Sequence, residues 1–78
     1  MSIKEQILNI LAEVKPTKNL EGITDIVEAG YLDSFELMSL IAGISDTFNV
    51  EVGIDEIVPE NFNSVDAMTA MVEKLKNA

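Results

Sequence analysis

One pair of residues in this 78-residue chain, Asp33-Ser34, has the types and the position for covalent chemistry. A serine hydroxyl can carry a phosphate as an ester, and a carboxylate beside it can orient that hydroxyl or hold a metal ion. At the first turn of a helix, free N–H groups and the positive end of the helix dipole favour an anion. The same pair has an ordinary structural use. Asp and Ser are preferred N-caps because their oxygens accept those N–H groups. The dipeptide alone leaves both uses open. Catalysis that depends on histidine or cysteine is excluded more firmly. The chain has no histidine and no cysteine, so it lacks the commonest general base and any thiolate nucleophile or ligand. A hydrolase of the Ser-His-Asp type is therefore ruled out on inventory. No metal site is expected either, since no loop alternates Asp or Asn ligands around a central Gly and ends in Glu.

The elements that must position this pair can be read from hydrophobic spacing. Ile3, Ile7, Leu8, Ile10, Leu11 and Val14 recur at helical intervals. Ser2 and Glu5 have capping-box spacing, and Pro16 ends the helix. Residues 15–33 form a connection longer than most loops in a compact domain. Leu20, Ile23, Ile26, Val27, Tyr31 and Leu32 can pin it to a core. A short helical turn is expected over 24–29, closed by Gly30. The next helix spans 34–48, with Asp33 as N-cap, Glu36 three residues on, and an apolar stripe of Leu37, Leu40, Ile41, Ile44 and Phe48. Gly43 inside it costs about 1 kcal/mol relative to Ala, which suggests a close packing contact. Asn49 suits a left-handed stop. Residues 50–54 read as extended loop, 55–58 and 59–62 as single helical turns. A last helix starts at Asn63 or Ser64 and carries Val65, Met68, Met71, Val72 and Leu75 inward. The expected fold class is all-α: one domain over residues 1–78, a small bundle of three main helices and a short one, with a long first loop.

Composition narrows the partners. Fourteen acidic residues face five lysines, for a net charge of −9. Such a surface repels nucleic-acid and anionic-membrane phosphates. It favours proteins with basic faces, or simply keeps a small domain soluble and monomeric. No window approaches the roughly 20 apolar residues that span a bilayer, and residues 1–14 do not form a signal sequence. A cytoplasmic monomer is expected.

The stretch Glu28-Ala29-Gly30-Tyr31-Leu32-Asp33-Ser34-Phe35-Glu36-Leu37 resembles the attachment site of the acyl and peptidyl carrier protein family, in which a Gly precedes Leu-Asp-Ser. The run from Ile54 through Pro59 to Ala67 is similar to the segment leading into that family's last helix. The resemblance covers nearly the whole chain in order. It implies a non-enzymatic shuttle: Ser34, with Asp33 beside it, would receive 4'-phosphopantetheine from coenzyme A through a phosphopantetheinyl transferase. The arm's thiol would then hold an acyl or aminoacyl thioester, the prosthetic group bringing the reactive atom that the chain lacks. Loading and downstream pathway enzymes with basic docking faces are the implied partners.

Departures from the family pattern bear on which pathway. Phe35 replaces the usual Leu or Met after the serine. The helix from Glu36 to Asp46 is poor in Glu, unlike that of fatty-acid-synthesis carriers. A specialised fatty-acid-like, polyketide or nonribosomal peptide pathway is expected. A D-alanyl or other aminoacyl carrier is the alternative, although the Gly-Thr-Val and Phe-Asp-Arg stretches of D-alanyl carriers are absent. Phe35, Glu36, Met38 and Asp46 are the candidate docking residues; Met38 could equally be a core filler. The core leaves little volume, so a short or polar cargo is expected to remain in solvent. From a different class, an unmodified helical adaptor would need neither Asp33 nor Ser34.

Overall fold

In the computed structural model, which describes residues 2–77, the helical periodicity resolves into α1 (Ile3–Val14), α2 (Ser34–Phe48), α3 (Pro59–Phe62) and α4 (Val65–Lys76). No strand occurs among the described residues. The three long helices begin where side chains can take up the orphan N–H groups. At α1, Ser2 Oγ accepts from the Glu5 N–H at 3.1 Å, and Glu5 Oε1 accepts from the Ser2 N–H at 3.2 Å. The Ser2 N–H, and after it the Ser2 hydroxyl, hold the Glu5 carboxyl below the usual glutamate range. At α4, Ser64 Oγ accepts from the Ala67 N–H at 3.0 Å. Helix α1 ends at Lys15, whose N–H reaches the Leu11 carbonyl at 2.7 Å just before Pro16. Helix α2 ends at Asn49, left-handed as expected at φ 54° and ψ 47°.

Two ion pairs mark how the helices run. Lys4 Nζ lies 3.4 Å from Asp66 Oδ1, so α1 and α4 start at the same end and run side by side. Lys15 Nζ lies 3.3 Å from Glu36 Oε2, so the end of α1 meets the start of α2 and these two are antiparallel. Between them sits a core with no buried polar side chain among the described residues. Helix α1 contributes Ile7, Ile10 and Leu11; α2 contributes Leu40, Ile41, Ile44 and Phe48; α3 contributes Phe62; α4 contributes Val65, Met68, Met71 and Val72. Leu37 and Leu75, expected inside, are only partly buried at the edge of this core.

Residues 15–33 pack against the bundle. Leu20, Ile26 and Leu32 are buried, each removing apolar surface worth about 1.5–3 kcal/mol relative to exposure. The Cα radius of gyration of 11.2 Å matches the roughly 11.5 Å of a compact chain this long, so the loop adds no bulk. The turn expected over 24–29 is present as a single hydrogen-bonded turn. The Ala29 N–H donates to Asp25 O at 2.7 Å, while the N–H groups of Gly30 and Tyr31 donate to Val27 O and Ile26 O at 3.1 and 3.0 Å. That last pair is a Schellman motif, and Gly30 occupies its left-handed position at φ +78°. The turn expected over 55–58 forms earlier, as a 3-10 turn at Ile54–Glu56. Ile57 closes that turn with its N–H on Ile54 O at 3.1 Å, and Val58 is extended, as the residue before Pro59 prefers.

Candidate functional site

Asp33 and Ser34 lie where the long loop enters α2. Buried Leu32 anchors the chain immediately before them, and Leu40 anchors the helix after them. Asp33 is the N-cap: its Oδ1 accepts from the Glu36 N–H at 2.7 Å. Glu36 Oε1 in turn accepts from the Asp33 N–H at 3.0 Å, completing a capping box. Ser34 is the first residue of the helix and is exposed. The helical ladder begins with the Leu37 N–H donating to Asp33 O at 2.9 Å. The N–H groups of Ser34 and Phe35 precede that ladder, and such first-turn amides favour an anion. An exposed hydroxyl, unladdered first-turn amides and a neighbouring carboxylate together fit a phosphodiester at Ser34.

The expected docking residues divide. Phe35 and Met38 stand beside Ser34 with 79% and 58% of their surface exposed. Met38 is thus a surface residue, whereas Met68 and Met71 are core. Asp46 is exposed on α2, twelve residues after Ser34 and about 18 Å along the helix, so it does not join the cluster at the serine. Glu36 is only partly exposed, and its carboxylate is already engaged by the Asp33 N–H and by Lys15.

Two depressions flank α2. One is an apolar cleft of about 120 Å³ between Val27, Leu37, Ile57, Val58, Pro59 and Phe62. Leu37 brings it within one helical turn of Ser34. The other is an open groove between α1 and α2, with Phe35 at one end and Asp46 at the other.

Asn63, expected as a possible start of the last helix, instead precedes its N-cap Ser64 and bonds Val27 at the edge of the cleft. Its Oδ1 accepts from the N–H groups of Val27 and Glu28 at 3.0 and 3.1 Å, its Nδ2 donates to Glu28 Oε1 at 3.0 Å, and its carbonyl accepts from the Ile26 N–H at 2.9 Å. It is an N-cap supplied from another element to the turn in the long loop. An Asn before a helix signals a cap for that helix; nothing local signals a partner more than 30 residues away.

Comparison with known proteins shows the family. Residues 5–72 match the family model described as phosphopantetheine attachment site. The chain is similar to the D-alanyl carrier protein of Streptococcus suis (strain 05ZYH33), with 33% identity over 79 aligned positions covering 100% of both chains. It is also similar to the D-alanyl carrier protein of Streptococcus pyogenes serotype M1, with 32% identity over the same full coverage.

Proposed function

The chain belongs to the phosphopantetheine attachment family, and from that premise we propose that Ser34 is its attachment residue, that Asp33 holds it in place, and that residues 1–78 act as one carrier domain. The family's prosthetic group is covalent 4'-phosphopantetheine, and its members are carriers of acyl or aminoacyl groups, not enzymes. They work with transferases and loading enzymes. The observation that supports Ser34 most directly is its position: exposed, first in α2, and behind a capping box that fixes the helix start. When bound, the group supplies the thiol that carries cargo as a thioester. The chain's own task is to present the Ser34 oxygen. In the transfer the Ser34 oxygen bonds to the pantetheine-side phosphorus of coenzyme A, the diphosphate link breaks and 3',5'-ADP leaves; with no histidine in the chain, the hydroxyl proton goes to a base of the transferase or to solvent.

Phe35 and Met38 form the apolar part of the docking face, and Asp46 lies farther along the same helix for partners with basic surfaces. A monomer in the cytoplasm completes this reading, and no described helix is long and apolar enough to cross a membrane.

For the cargo, an aminoacyl group is favoured over a long acyl chain. The relatives are D-alanyl carriers by name. The cleft beside Leu37, at about 120 Å³, is well below the roughly 300–1,000 Å³ typical of ligand sites.

The test is mass spectrometry after incubation with a phosphopantetheinyl transferase and coenzyme A. Wild type gains one phosphopantetheine; Ser34→Ala gains none and keeps its helical circular dichroism. Modification of Ser34→Ala would refute the assignment. Offering the modified protein D-alanine, ATP and a D-alanine-activating enzyme then separates an aminoacyl from an acyl carrier.

A further inference from the structure

We infer that Glu36 is a positioning residue for Ser34 rather than a docking charge, and that Lys15 is its partner in that task. The proposal rests on Ser34 being the attachment residue. One carboxylate receives both ends of the long loop. Lys15 opens the loop and donates through Nζ to Glu36 Oε1 and Oε2 at 3.4 and 3.3 Å. Asp33 closes the loop and donates its N–H to the same Oε1 at 3.0 Å. Ser34 is held between Asp33 and Glu36, the two members of the capping box.

Lys15 is a suitable anchor. Its own N–H is fixed to the Leu11 carbonyl at 2.7 Å, and Pro16 removes freedom from the chain that follows. The pair is partly shielded, with side-chain exposures of 30% and 22%, so salt weakens it less than a fully exposed pair. The link spans 21 residues and joins the end of α1 to the start of α2. Without it, the loop could still pack through Leu20, Ile26 and Leu32, but the helix start would lose this polar link to α1. The hydroxyl would then sample more orientations when a transferase approaches, and orientation acts on the chemical step.

Docking and positioning predict opposite effects at Lys15. Neutralising it makes the protein more negative. If Glu36 served as a free docking acid, Lys15→Gln would unmask it, and a basic transferase would bind faster and tighter. If Glu36 positions Ser34, Lys15→Gln slows modification.

The experiment is steady-state transfer of phosphopantetheine from coenzyme A to full-length protein, with Lys15→Gln, Glu36→Gln and Lys15→Arg beside wild type. Lys15→Gln and Glu36→Gln should each lower kcat by about two- to fivefold, the range of a partly exposed ion pair, with KM nearly unchanged. Lys15→Arg, which keeps the charge and the reach, should restore the wild-type rate. Hydrogen exchange on the same proteins should show faster exchange at the Asp33 and Glu36 amides in the two Gln variants, with α4 unchanged. A Lys15→Gln protein that is modified as fast as wild type or faster, or that differs only in KM, overturns the proposal. That result leaves the Ser34 assignment standing, because the assignment fails only if Ser34→Ala is itself modified.

Discussion

Gly43 provides a test of how closely α1 and α2 are packed. A Cβ added there would lie 2.8 Å from Ile10 Cγ2, against an optimal carbon–carbon separation of about 3.5–4.0 Å. In an unobstructed helix, Gly→Ala gains up to about 1 kcal/mol. Here the new methyl meets a side chain that is itself packed in the core, 9% exposed, and overpacking of this kind costs about 1–3 kcal/mol. The net expectation for Gly43→Ala is a loss of about 1 kcal/mol. At about 2.1 cal/mol/K per residue over 78 residues, that lowers Tm by roughly 6 °C. Ile10→Ala removes the obstructing methyl, at its own cost of about 2–5 kcal/mol. Adding Gly43→Ala to it should then stabilise, giving a coupling of about 2 kcal/mol in the cycle. Thermal and urea unfolding followed by circular dichroism read both arms. A rise in Tm for Gly43→Ala alone, or coupling below about 0.5 kcal/mol, would show that the contact with Ile10 does not govern the substitution.

Asn63→Ala removes the acceptor of two loop amides and should cost about 1–3 kcal/mol, with faster hydrogen exchange confined first to Val27 and Glu28. Phe35→Ala should leave stability within about 0.5 kcal/mol, because the ring is exposed, yet slow loading by partner enzymes; equal loading rates would remove Phe35 from the docking face. The Glu5 carboxyl is depressed in the folded state, so its contribution is present above the ordinary glutamate pKa and is lost as pH falls through the depressed value. The stability difference between wild type and Glu5→Gln should accordingly shrink below about pH 4.

What could be read from sequence was local. The spacing of Ile3 to Val14, the Ser2–Glu5 and Asp33–Glu36 boxes, and the Asn49 stop each involve residues within a few positions of one another, and all took the expected form. Gly43 could be flagged as a close contact, but its partner Ile10 lies on another helix and no pattern names it. The 3-10 turn at Ile54–Glu56 was displaced from expectation because a single turn has almost no intrinsic stability, and neighbouring contacts choose its register. The placement of Asp33 as N-cap and Ser34 as first residue of α2 was legible through their setting. The engagement of Glu36 by Lys15 was not, since an exposed-looking acid on a helix gives no sign that a lysine 21 residues earlier folds back to it.

The pairing of α1 with α4 constrains how the chain is made. Buried α1 residues Ile7, Ile10 and Leu11 share the core with Val65, Met68 and Val72, and the Lys4–Asp66 contact joins residues 62 positions apart. A ribosome adding about 5–20 residues per second needs roughly 3–12 s to cover that interval. Helices themselves form in about a microsecond. Throughout those seconds α1 has an apolar face and no α4 to cover it. The core can close only after α4 has left the exit tunnel.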